Sequence, residues 1–406
     1  MSSFSWLAFS ENERRKVLDV VDLFGDRDTR DELGIGTVRD TLADLFFPGI
    51  STIQTRARYF LFVPWMYLEF ERKKKPSKEV QQLARLEETR LIDILAENES
   101  EKSGVIGITA RKTLKRLPSN IYWQGLGTWR IRTFQGGQDA YNRSLDRFYG
   151  LTKSRHESLE EKLAENSTST INWHLAIPGM PTGFPNNANF ELLPTEAEYL
   201  RERIITSVPN SMLAFLLKEA TLWNPNLAEY PWMHPAILRM NSQQRDQLQH
   251  AEYFATLMYG ASLLYNLILA ELADATEIQG NYELNLQDWA AEIKEHRNQL
   301  VAWDRQSFWK LLRSINPRVS ISTERFVEGW ISMALHSSGA LKVTTSKQGR
   351  TLICEREIAL KRDQARVKNR RALEQWGGKA GAFRLNYRWS KAQRILLDIL
   401  QPLEGA

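Results

Sequence analysis

Arg362, Arg366 and Arg370 stand four residues apart, the spacing that brings three guanidiniums onto one stripe of an α-helix. Lys361, Lys368 and Arg371 flank that stripe, while Ile358, Ala365 and Leu373 can turn towards protein. A basic helix starting near Arg350 with a cationic outer face is therefore predicted. Arg384, Arg388, Lys391 and Arg394 extend the excess past Trp376-Gly377-Gly378 into a second predicted helix. The chemistry is binding rather than bond-breaking: guanidinium forks make paired bonds to phosphate oxygens, and a cationic stripe can follow a nucleic-acid backbone. From Leu341 to Ala406 there are fifteen Lys and Arg against six Asp and Glu, a local +9 in a chain whose total is +5. The opposing readings are a solvated helix face, partly neutralised by Glu355, Glu357 and Asp363, or a docking surface for an acidic partner protein.

One pattern could carry catalysis. Arg245-Asp246-Gln247-Leu248-Gln249-His250 resembles the R-[ND]-x-x-x-H motif of the helical HEPN ribonucleases. The resemblance implies that Arg245 and His250 act on the scissile phosphate across a dimer, without metal. Five positions on a regular helix set two side chains about 140° apart, so convergence needs special geometry.

Other catalytic signatures are incomplete. Gly377-Gly378-Lys379 lacks the upstream glycine of a phosphate-binding loop, and neither GIGTVRD nor GLGTWR completes G-x-G-x-x-G. The six histidines show no metal-ligand spacing. His250-Ala251-Glu252 starts like a deaminase site without its cysteine pair. Asp288, Glu292 and Lys294 form a triple that any charged helix yields. No cofactor and no metal are expected, and the balance is against an enzyme.

The elements that must position these residues are read from composition and period. Apolar residues at 42%, charged residues at 25%, thirteen Trp and seventeen Phe describe folded domains. One cysteine, Cys354, excludes an internal disulfide or a Cys-rich zinc module and fits a reducing cytoplasm. The opening MSSFSWLAFSENERRK does not read as a secretory signal. Tyr253–Ala270 runs eighteen residues without a charge, at the lower edge of a membrane span. Its Thr256, Tyr259, Ser262, Tyr265 and Asn266 need hydrogen-bond partners, so a central buried helix is predicted, with no membrane contact.

A capping box at Ser10 and Glu13 opens a helix through Val17, Leu18, Val21, Leu23 and Phe24, and another runs from Thr37 to Phe46, ended by Pro48-Gly49. Ser51-Thr52 can cap a helix that continues to a break at Pro64. RYFLFVPWMYLEF reads as a kinked core helix, its aromatics too dense for a base-stacking platform, and Glu79–Ala96 as a further helix. Residues 104–134 suggest a winged-helix-like element, with a basic segment at Ala110–Leu117 and strand-like pieces at Ile121–Trp123 and Trp129–Phe134. Pro, Gly and Asn crowd residues 166–194. Thr195 and Glu198 form a second capping box, a helix follows over Ser211–Leu222, and Ser242–His336 is almost wholly helical in period, including Leu286–Trp303 and Thr323–Leu335. Leu341–Thr345 reads as a short strand.

The segments STIQTRARYFLFVPWMY, LPSNIYWQGLGTWRIRTF, HAEYFATLMYGASLLYNLILAE and RALEQWGGKAGAFRLNYRW together resemble an uncharacterised bacterial family known only as a domain of unknown function. The resemblance spans nearly the whole chain. It implies a bacterial, cytoplasmic protein whose relatives are encoded in mobile or antiviral defence neighbourhoods, beside helicases and methyltransferases that would be partners.

The combined expectation is a mainly α, multi-helical protein with minor β. Residues 1–165 form an N-terminal helical domain, 166–194 a linker, 195–340 a helical core domain and 341–406 a basic C-terminal subdomain. It binds DNA or RNA through Lys361, Arg362, Arg366, Lys368, Arg370, Arg371, Arg384 and Arg388, as a non-enzymatic component of a larger system. The alternatives are the ribonuclease centred on Arg245 and His250, or a helical scaffold with an acidic partner.

Overall fold

The computed structural model describes residues 31–158, 171–219, 228–336 and 339–404; the expected capping box at Ser10 and Glu13 and the helix after it lie outside them. The described residues are helices and loops, and their only strand-like pairing is a single bridge between Arg132 and Trp173. Two compact units form, each discontinuous in sequence: unit 1 from residues up to 46 and from 226 to 389, unit 2 from 47 to 225 and from 390 onwards.

Unit 1 opens with α1 (Gly36–Phe46). Asp31 supplies its N-terminal cap, accepting the main-chain N–H of Ile35 at 2.8 Å and of Gly36 at 2.7 Å.

The chain then builds unit 2 from α2 (Tyr59–Arg72), α3 (Ser77–Asn98), α4 (Pro118–Thr128), α5 (Gln138–Ser158), α6 (Pro194–Ser207) and α7 (Met212–Lys218). α2 begins later than Ser51-Thr52 suggested and continues past Pro64. A proline inside a helix costs about 3 kcal/mol. Here Tyr59, Phe60, Phe62, Trp65 and Tyr67 are all buried, and each such side chain returns about 1.5–3 kcal/mol. Phe60 stacks on Trp129 with ring centroids 3.9 Å apart. The aromatics of this segment are thus core, as expected.

The winged-helix expectation is overturned. Ile121-Tyr122-Trp123, rich in strand-favouring side chains, lies inside α4, where Tyr122, Trp123 and Leu126 fall on one buried face and Gln124 is exposed. Pro118 occupies the first helical position and Asn120 Oδ1 accepts the Leu117 N–H at 3.1 Å, so the local start signals outweigh β-propensity. The Pro- and Gly-rich stretch around Trp173 belongs to unit 2, and Trp173 itself is buried.

Unit 1 resumes with α8 (Ser242–Leu272), α9 (Thr276–Glu295), α10 (Arg297–Val301), α11 (Arg305–Ile315), α12 (Ile321–Ala334), α13 (Lys347–Lys361) and α14 (Arg370–Glu374). α8 is the core helix read from Tyr253–Ala270: it is apolar and long enough to cross a membrane, and 83% of its most apolar window is buried. α9 packs closely along it. Trp289 lies directly on Gly260, where any side chain would strike the indole, and its N–H donates to Thr256 O at 2.8 Å. Trp330 of α12 does the same to Leu257 O at 2.8 Å. The expected C-terminal strand Leu341–Thr345 is instead a 3-10 turn.

Unit 2 is completed by α15 (Trp389–Leu400). Its Asp398 takes a bidentate pair from Arg56, 2.8 Å at the closest, and the Ala57 N–H at 2.8 Å, with both side chains buried.

Candidate nucleic-acid interface

The basic stretch after α13 does not continue as one helix, so the stripe of Arg362, Arg366 and Arg370 is not formed. α13 stops at Lys361, Arg362 adopts φ +51°, a 3-10 turn follows, and α14 starts only at Arg370, capped by Asn369, whose Oδ1 accepts the Ala372 N–H at 3.1 Å. The reason lies one turn back. Glu357 is wholly buried, and its carboxylate accepts the main-chain N–H of Arg366 at 3.0 Å and of Val367 at 3.1 Å. An unbroken helix would spend those donors internally and leave a buried charge short of partners, which costs several kcal/mol.

Glu357 also accepts from Tyr265 Oη at 2.5 Å and Lys361 Nζ at 2.9 Å. Burial alone would raise its carboxyl; the Tyr265 and Lys361 hydrogen bonds outweigh it and hold the group below the usual range. Lys361 and Arg366 both reach Glu32 as well, Arg366 at 2.7 Å. Two carboxylates, two cations and a tyrosine thus tie residues 362–367 to α8 and to the segment before α1.

A second buried side chain fixes the loop after α14. Asn266, fully enclosed in α8, accepts the Trp376 indole N–H at 3.1 Å and the Ala380 N–H at 2.7 Å through Oδ1, and its Nδ2 donates to Ala380 O at 2.8 Å. Tyr282 Oη donates to Gly378 O at 2.9 Å. Gly378 has φ +86°, a conformation that glycine adopts without strain.

Between these two anchored segments and the α8–α9 turn lies an open groove of about 540 Å³. Its apolar lining includes Trp376, Ile278 and Leu272, and its polar lining includes Arg366, Lys368 and Arg370. Asp274 and Glu374 also border it.

The eight basic residues singled out by sequence separate into two groups. Lys361 and Arg366 are engaged as described, Arg384 pairs with Glu292, and Arg388 lies 2.5 Å from Asp44 and 3.5 Å from Asp40. Arg362, Lys368, Arg370 and Arg371 are exposed and cluster within ten residues. Arg362, Lys368 and Arg371 have no ion-pair partner among the described residues, and Arg370 has only a 3.7 Å contact with the exposed Glu374. Lys391 and Arg394, read as continuing the excess, are buried in α15. Sequence reasoning missed Glu357 as an organiser, and missed Asn266 and Trp376 as groove builders. An asparagine inside an eighteen-residue uncharged run was the available signal, since it must find partners.

Arg245 and His250 both lie in the first turns of α8, with Arg245 exposed. His250 is half-buried against Trp303 and Phe308, and its Nδ1 accepts the Trp303 indole N–H at 2.7 Å. Desolvation lowers its pKa. α8 is regular there, so the two side chains leave it in different directions. No cluster of three or more His, Cys, Asp or Glu able to hold a metal occurs among the described residues.

The arrangement defines a helical protein with a cationic loop beside a tryptophan-lined groove. Over residues 1–401 the chain matches the model of the family described as "Family of unknown function (DUF6361)", and it belongs to that family. No curated protein and no solved structure matches it significantly.

Proposed function

We propose that the protein binds nucleic acid through residues 362–371, the loop after α13 and the first turn of α14, and acts as a non-enzymatic component of a larger bacterial assembly. The observation that carries the reading is the sorting of the basic residues. Lys361 and Arg366 meet the buried Glu32 and Glu357, and Arg384 and Arg388 meet Glu292 and Asp44. Arg371 stands exposed in the first turn of α14, and Arg362 and Lys368 stand exposed on a loop held by buried Glu357. A loop held this way keeps its charges in place before a ligand arrives, which reduces the ordering cost of binding. The pair between Arg370 and Glu374 is a surface contact worth at most about 1 kcal/mol, so Arg370 can exchange its carboxylate for a phosphate.

The test is fluorescence anisotropy with labelled DNA and RNA at several salt concentrations, comparing wild type with the triple variant Arg362→Gln, Lys368→Gln, Arg371→Gln. Point variants keep Asp398, which deleting the basic end would remove together with its pairing to Arg56 in unit 2. The expected result is salt-steep binding by wild type, and in the triple variant a salt slope shallower by about 0.7–0.9 for each phosphate that is no longer neutralised. Absence of binding by wild type would overturn the reading and leave the loop as a docking surface for an acidic protein.

A further inference from the structure

We propose that the groove beside this loop seats an unpaired nucleobase against Trp376, so that the ligand is a single strand rather than a duplex. The inference rests on the nucleic-acid reading and adds the form of the polymer. Trp376 is half-buried, with its indole N–H held by Asn266, so the ring is pinned by its edge and keeps its orientation when the groove is empty. Ile278 and the half-exposed Leu272 give the groove apolar surface that a flat ring can cover. Lys368 and Arg370 line the same groove, and Arg371 follows Arg370 in the first turn of α14, so charges for the flanking phosphates are already within reach of a strand crossing it.

A groove of about 540 Å³ is of small-ligand size. In a duplex each base face is covered by its stacked neighbours, and only an unpaired base can offer one to the indole. The combination of a fixed aromatic platform and a cationic track is how single-strand binders hold bases without reading sequence.

The test uses the full chain and one 20-nucleotide sequence, presented as single-stranded DNA, single-stranded RNA and duplex DNA, each carrying an internal 2-aminopurine. Anisotropy gives affinity, and acrylamide quenching reports shielding of the base. Wild type is expected to bind single strands at least tenfold more tightly than duplex and to shield the 2-aminopurine. Trp376→Ala should weaken single-strand binding roughly ten- to a hundredfold while leaving the salt slope unchanged. Trp376→Phe should keep most of the affinity. The shielding measurement needs no variant, so it decides even if Trp376→Ala fails to fold. Equal affinity for duplex and single strand with an unshielded base would overturn the inference and leave the nucleic-acid reading standing. Binding to none of the three polymers would overturn both.

Discussion

Lys361 Nζ lies 2.9 Å from Glu357 Oε1, one turn back along α13, with Glu357 wholly enclosed and Lys361 20% exposed. The two partners are therefore unequal. Removing the carboxylate takes the acceptor from Tyr265 and from two main-chain N–H groups but leaves Lys361 with Glu32, whereas removing the lysine leaves Glu357 with Tyr265 and those two main-chain donors.

Glu357→Gln should cost about 1–3 kcal/mol in urea unfolding, because the amide keeps one acceptor oxygen but sets its NH2 against donors that the carboxylate accepted from, and Lys361→Met clearly less. The loop should loosen with it: trypsin should cleave at Arg362 and Lys368 faster in Glu357→Gln under native conditions. Equal costs for the two variants would mean that the main-chain donors contribute little.

Asn266→Ala should destabilise unit 1 by about 2–4 kcal/mol, because it leaves the Trp376 indole, the Ala380 N–H and the Ala380 carbonyl without partners. Hydrogen exchange at Ala380 should accelerate ahead of global unfolding. Exchange that stays slow there would show that Tyr282 alone holds the segment.

Gly260→Ala should cost about 1–3 kcal/mol by overpacking, since a methyl at that position meets the Trp289 indole. The thermal midpoint would fall and tryptophan fluorescence would shift as Trp289 is displaced. An unchanged spectrum would place the relaxation in the helix backbone instead.

In unit 2, Glu88 accepts both the N–H and the hydroxyl of Ser119 at 2.7 Å, yet burial outweighs these bonds and raises its carboxyl to about 7. An unfolded glutamate titrates near about 4.3, so between roughly pH 4.5 and 7 the folded protein holds a proton that the unfolded chain has released. The group's contribution to stability therefore falls as pH rises through that window. Glu88→Gln cannot ionise, and its stability relative to wild type should improve by about 2.5 kcal/mol between about pH 5 and pH 8. A difference independent of pH would show that Glu88 ionises at its ordinary value in the fold.

Much of the helical frame was legible because long apolar periods leave little alternative: Gly36–Phe46 and Ser77–Asn98 were read within a few residues, and Tyr253–Ala270 was read as the buried part of what is the longer helix Ser242–Leu272. The reading failed where a distant partner decides the backbone. Residues 350–373 have helical spacing throughout, and what ends α13 is a carboxylate buried against Tyr265, 92 positions earlier in the chain. The same limit applies to the charges. A sequence counts Arg384 and Arg388 as equal to Lys368 and Arg371, because the acids that absorb the first two lie far away at Glu292 and Asp44. Ile121–Trp123 failed differently, through local β-propensity that Pro118 and the apolar face of α4 override.

Arg56 and Asp398 are separated by 342 positions, and the pair closes a unit whose first residues follow α1. At ribosomal speeds of roughly 5–20 residues per second, the arginine waits tens of seconds for its counter-ion. Unit 2 therefore cannot close this pair before α15 has been made, and a nascent chain ending before Asp398 is expected to be more open to chaperones and proteases.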